Sequence, residues 1–207
     1  MIIPWTGNPE NVGEIVTFGR YPQEGGNGKP AGIEWIVLDV KDGKSLLISR
    51  YALEVKAYHE KGKRVTWETC TLRRWLNQGF IQKAFTQDEQ QALVRSTVKN
   101  PDNPIYGTKG GNDTKDEVFL LSIEEAEQYF PSFEARTCFP TRYALSKNGE
   151  IMDKDYGAGC LWWLRSPGYG NNDAADVWPD GSLLGRGCSV DTSSIAVRPA
   201  LWLQFSS

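Results

Sequence analysis

The chain has 207 residues, a formal net charge of −3, and eight each of Trp, Tyr and Phe. That length suits one domain with a sizeable aromatic core. The charge leaves no basic stripe for nucleic acid, and no apolar run approaches the roughly 18 residues needed to span a bilayer.

Glu14 to Tyr21 (EIVTFGRY) alternates and is β-branched, which predicts a strand. Pro22 to Gly32 is rich in Gly and Pro and reads as a loop. Ile33 to Val40 and Lys44 to Ser49 read as strands joined by the Asp42-Gly43 turn signal. Thr71 to Phe80 places Leu72, Trp75 and Leu76 at helical spacing. Thr86 with Glu89 opens a short helix through Val94, and Ser122 with Glu125 opens another. Asn100 to Asp116 is polar and aperiodic, a long surface loop inside the domain. Val118 to Leu121 reads as a buried strand and Arg142 to Ser146 as a helical turn. Trp162, Trp163 and Leu164 look like core. From Ser166 to Ala196 the chain turns small and polar, and Ala200 to Phe205 closes as a strand. The expected fold is α+β: mixed antiparallel strands, short helices, and a long irregular C-terminal segment. Residues 1–207 form one domain, with its core at about 14–205.

Chemical motifs narrow the function mostly by what they leave out. His59 is the single histidine, so imidazole-built zinc or iron centres are not expected. It sits in AYHEKGKR, which reads as an exposed loop rather than the seat of a catalytic base. Cys70, Cys138, Cys160 and Cys188 form no CxxC pair and are expected as thiols. No phosphate loop and no strand–GxGxxG–helix pattern occurs. Glu124 and Glu125 fall in a helix first turn, where acids favour the dipole. The opening MIIPWTGNPENVGE lacks a secretory pattern. The expected location is the cytoplasm, a phage particle or a surface assembly.

Four sets of segments carry a family resemblance. They are FGRYPQ (Phe18–Gln23) with IEWIVLD (Ile33–Asp39), TLRRWLN (Thr71–Asn77), VFLLS (Val118–Ser122), and WWLRSPG (Trp162–Gly168) with VRPALWL (Val197–Leu203). Together they resemble a bacterial and phage domain family with a C-type-lectin-like fold, distantly related to the formylglycine-generating, sulfatase-modifying enzymes. Several members are variable proteins of diversity-generating retroelements, which present replaceable residues on a fixed scaffold. The resemblance implies a variable region at about 162–203. In such systems AAC and AAT codons are mutated at their adenines, which cannot yield Lys, Glu, Gln, Met or Trp. Lys, Glu, Gln and Met supply 36 of the 207 residues, yet the 31 from Ser166 to Ala196 contain none. Trp178 is the one residue there that breaks the rule. Gly- and Asp-rich loops also avoid Lys and Glu for reasons of turn geometry.

Val177, Leu183, Val190 and Val197 are spaced to pin this segment to the body. Burying each would contribute roughly 1.5–3 kcal/mol. The residues between them are the candidate ligand-binding set: Tyr169, Asn171, Asp173, Asp176, Trp178, Leu184, Arg186, Ser189, Asp191, Thr192 and Ser194. Tyr, Trp and Arg anchor interfaces, while Ser, Gly and Asn give adaptable hydrogen bonds. Arg165 and Arg198 are expected to hold the segment rather than touch ligand. The expected role is recognition of a macromolecular target, a protein or a surface glycan, with no cofactor and no catalysis. Two alternatives stay open. One is a formylglycine-generating type of oxidase, for which Cys160 and Cys188 are the late candidates. The other is a non-variable lectin-like sugar-binding module. A calcium site would draw on Asn171-Asn172-Asp173 or Trp178-Pro179-Asp180, which read first as turn formers.

Overall fold

The Asp42-Gly43 pair does what its chemistry requires. Both residues take positive φ, 51° and 71°, which matches the type I′ turn and the twist of the strands it joins. It connects β2 (Pro30–Lys41) to β3 (Lys44–Ser49), and β1 (Ile15–Pro22) pairs with the other edge of β2. The computed structural model describes residues 5–25, 28–60, 64–148, 151–152, 157 and 159–205. The expected loop through Gly32 ends earlier, because Pro30, Ala31 and Gly32 already pair with Pro22, Tyr21 and Arg20. After β3 come the short β4 (Glu54–Val55), β5 (Ser96–Val98), β6 (Thr114–Asp116) and β7 (Val118–Phe119). The expected loop from Asn100 therefore gives up its last three residues to β6, which pairs with β5.

The helices are short. α1 (Thr71–Trp75) runs through a π-helical turn (Leu76–Phe80) into α2 (Ile81–Ala84), so the helical stretch extends past Phe80. Leu72, Leu76 and Phe80 recur every four residues and are all buried. α3 (Gln87–Gln90) has the Thr86–Glu89 capping box but stops short of Val94. There the backbone turns to donate from Val94 to Trp202. α4 (Ile123–Tyr129) has the Ser122–Glu125 box. α6 (Arg142–Lys147) follows the expected helical turn, whereas α5 (Phe133–Arg136) was not expected.

The expected irregular C-terminal segment is instead a sheet. β8 (Trp162–Pro167), β9 (Asp173–Val177) and β10 (Leu183–Ser189) form an antiparallel meander, followed by β11 (Ala196–Val197) and β12 (Ala200–Gln204). The sequence hid these strands for a physical reason. β8 is buried on both faces and four of the five residues of β9 are buried, so neither alternates. β10 carries three residues of irregular register between Leu184 and Cys188. The result is an α+β domain of mostly antiparallel strands. One sheet has the order β1-β2-β3-β12-β7, the other β10-β9-β8-β11-β4, with β11 parallel to β8.

Four wholly buried tryptophans fill the core, and each indole N–H is satisfied. Trp35 donates to Phe18 O at 2.7 Å and Trp67 to Asp116 Oδ2 at 3.0 Å. Trp162 donates to Arg136 O at 3.3 Å and Trp163 to Lys56 O at 2.9 Å. Arg165 and Arg198 are buried in the interior. Arg165 donates to Leu120 O, Lys99 O and both oxygens of Glu125. Arg198 donates to Ser49 O and lies between the rings of Trp162 and Phe130. Among the described residues, no helix is long and apolar enough to cross a membrane.

Candidate functional site

Two segments from outside the C-terminal sheet hold its polar turns in place. On one side the chain after β4 reaches across with backbone donors: Lys56 to Ile195 O, His59 to Val190 O and Val65 to Asn171 O. His59 is therefore half-buried rather than part of an exposed loop. On the other side the loop between β5 and β6 folds back over the β8–β9 turn. Asn103, 2% exposed, organises that contact. Its side-chain nitrogen donates to Pro167 O and Gly185 O, both at 2.7 Å, and to Gly168 O at 3.3 Å. Its oxygen accepts from Ile105 N and Tyr106 N at 2.9 and 3.0 Å. Thr108 Oγ1 donates to Tyr169 O, and Asn171 Nδ2 to Lys109 O.

That arrangement brings distant residues onto one exposed face. Tyr169 is 63% exposed and meets Tyr106 edge to face, with ring centroids 5.2 Å apart. Arg186 stands 5.9 Å from the Tyr169 ring, and Ile105, 65% exposed, packs over Gly185. A Cβ at Gly185 would fall 2.6 Å from the Ile105 side chain, so glycine there admits the loop. Gly187 has φ +72°, and a Cβ on it would sit 2.0 Å from Ala174 O. Its lack of a side chain permits the bulge that turns Arg186 outward. Such a cluster of exposed aromatic, aliphatic and guanidinium groups has the composition of a protein-interface hot spot.

The eleven candidate residues divide by environment. Tyr169, Arg186, Ser189 and Asp191 are exposed. Asn171, Asp173, Trp178, Leu184, Thr192 and Ser194 are half-buried at the edges of the same strands and turns. Asp176 departs from the expectation, being wholly buried in the middle of β9. It pairs across the sheet with Trp163 on β8 and Leu184 on β10, one on each side. Burial pushes its carboxyl up to about 7, against a smaller downward pull from the Cys188 and Trp178 donors. Trp178 is thus half-buried and turned toward Asp176, so it does not pair with Tyr169 on the exposed face. The sequence missed Ile105 and Tyr106. Their signal was two apolar residues inside an otherwise polar loop.

Of the expected pins, Val177, Val190 and Val197 are buried, and Leu183 packs half-buried against the core. Cys160 and Cys188 lie toward opposite ends of β8, since Trp162 pairs with Val177 while Pro167 joins Cys188 through Ala174. Cys160 meets Cys138 instead, and its N–H donates to Cys138 O at 2.7 Å. Burial raises the Cys138 thiol, but Cys160 and the nearby Arg198 outweigh it and bring Cys138 down to about 7. Asp180 Oδ1 accepts from the N–H and hydroxyl of Ser182 at 2.8 and 2.6 Å, a turn-forming role.

A model of the DUF6273 family, a domain of unknown function, matches residues 42–205. The chain belongs to that family. No curated protein and no solved structure matches it. The match begins in the β2–β3 turn, so it leaves out β1 and β2. It takes in every residue of the exposed face and both segments that hold it. Within DUF6273, the face of this chain lies wholly inside the family domain.

Proposed function

We propose that this DUF6273 protein is a target-recognition module on a C-type-lectin-like scaffold, binding a protein or surface glycan without catalysis. The observation that carries this reading is the exposed cluster of Tyr106, Tyr169, Ile105 and Arg186. Large exposed aromatics held rigidly by backbone bonds give contact area at small entropic cost. Buried Val177 and Val190 bracket β10, on which Arg186 and Ser189 are exposed. Such a skeleton tolerates replacement of the outward residues, which supports a diversified surface. The absence of Lys, Glu, Gln and Met from Ser166–Ala196 supports the same reading.

Amplicon sequencing of the coding locus across a natural population tests it. Substitutions should concentrate at Tyr169, Leu184, Arg186, Ser189 and Asp191, and should spare Trp163, Asp176 and Gly187. A near-repeat of the DNA encoding 162–203 should lie beside a reverse-transcriptase gene. Even variation along the chain with no such repeat would overturn the diversified surface.

A further inference from the structure

A second concave region lies on α1, the π-helical turn and β6, and the aromatic face does not use it. It is a polar basin of about 540 Å³, within the range of small-ligand sites. Its floor is fixed. Asp116, 1% exposed, accepts from Trp67 Nε1 at 3.0 Å, Thr114 Oγ1 at 2.6 Å and Arg73 Nε at 2.7 Å. Arg73 is further tied to Glu68 O and Lys115 O. Both members of this pair are spent on the fold, so neither is the reason for the hollow.

The rim is different. Arg74, Arg95 and Lys115 line the basin and are exposed. Their side chains make no ion pair or hydrogen bond among the described residues. Two other exposed lysines are by contrast neutralised, Lys99 by Asp113 and Lys109 by Asp102. A chain of net charge −3 thus leaves three cations unpaired around one concavity. Against Glu68, Asp116 and Glu117 in the same lining, Arg73, Arg74, Arg95 and Lys115 leave a positive excess that favours an anion. Arg95 also borders an adjoining hollow of about 290 Å³, lined by Lys41, Lys44 and the half-buried Trp202.

The acceptors define the rest of the ligand. Glu68 and Glu117 line the same basin. Carboxylates beside cations repel a bare polyanion but accept hydrogen bonds from hydroxyls. Trp202 offers an apolar surface to a ring at the Arg95 end. We propose that the basin binds an acidic sugar: a hydroxylated ring carrying one phosphate, sulfate or carboxylate group. The anionic group sits on the arginines, which suit bidentate recognition of such groups, and the hydroxyls face the glutamates.

Isothermal titration calorimetry at low ionic strength, on the full chain, tests this with glucose 6-phosphate, glucuronate, inorganic phosphate and glucose. The acidic sugars should bind and glucose should not. Arg74→Gln with Arg95→Gln should weaken binding at least about tenfold, as expected for loss of charge-assisted anion contacts. Tyr169→Ala should leave it unchanged, which separates this site from the aromatic face. Both arginines are exposed, and circular dichroism checks that the double variant is folded. Failure of both acidic sugars to bind overturns the proposal, as does equal binding by glucose or by the double variant. Inorganic phosphate binding as tightly as glucose 6-phosphate overturns the sugar assignment.

Discussion

Asp176 shows how a residue that reads as surface becomes part of the interior. It stands in a run of Ala, Asp and Val with no hydrophobic contrast to mark its direction. The direction comes from Trp163 and Leu184 across the sheet, which no local pattern reveals. The consequence is a pH dependence of stability. Its folded pKa of about 7 lies above the ordinary 3.8, chiefly because burial penalises the charge. Between those values the folded state holds a proton that the unfolded state has lost, so stability falls as pH rises through this window. The penalty is complete above pH 7 and amounts to no more than about 4 kcal/mol. Thermal unfolding followed by circular dichroism should give a midpoint that rises from pH 8 to pH 5. In Asp176→Asn that rise should be lost, and the variant should be more stable than the wild type at pH 8. A wild-type midpoint independent of pH over this range would rule out the buried ionisation. Cys138 slopes the other way, since its folded pKa of about 7 lies below the ordinary 9.0. Its contribution is lost as pH falls from 9 through 7, so Asp176→Asn, which keeps Cys138, is the reference that isolates the Asp176 slope.

At the level of elements, strands that alternate and helices with capping boxes were legible before any coordinates. The hairpin at Asp42-Gly43 and the Ser122–Glu125 and Thr86–Glu89 boxes carry their own chemistry in sequence. The C-terminal meander was not, because strands covered on both faces lose their period. Nor did the sequence show that the loop after β5 belongs to the exposed face. That link depends on Asn103, whose five hydrogen bonds reach as far as Gly185. Asn103→Ala would leave three carbonyls and two N–H groups without this partner. The expected loss is about 2–4 kcal/mol, the scale for buried groups left unsatisfied. Hydrogen exchange read by mass spectrometry should then accelerate around residues 103–109 and 167–170 but not in the β2–β3 hairpin. Unchanged exchange in the loop would show that Ile105 and Tyr106 are placed without Asn103.

For the molecule as a whole, the contact between the two sheets separates the residues that hold the fold from the exposed face. Arg165 on β8 donates to Leu120 O just beyond β7 and to Glu125 on α4, and its own carbonyl accepts from Tyr58 Oη. Arg198 and Pro199 carry the chain from β11 in one sheet to β12 in the other, tied to Ser49 at the end of β3. These arginines flank the polar segment in sequence and anchor it in space, so the exposed residues between them bear little of the fold. Substitutions should therefore sort into two groups by cost. Arg165→Ala leaves Glu125 and several carbonyls without their buried cation and should cost about 3–5 kcal/mol. Glu125→Gln, a milder variant that keeps the shape, should lower stability by less. Arg186→Ala and Ser189→Ala on the exposed face should each stay within about 0.5 kcal/mol of the wild type. Urea unfolding followed in parallel by tryptophan fluorescence and far-UV circular dichroism measures this. Both probes should give coincident curves, because Trp162 and Trp163 lie where the sheets join. If the face variants cost as much as Arg165→Ala, the face would be part of the scaffold, and a surface of replaceable residues could not be sustained.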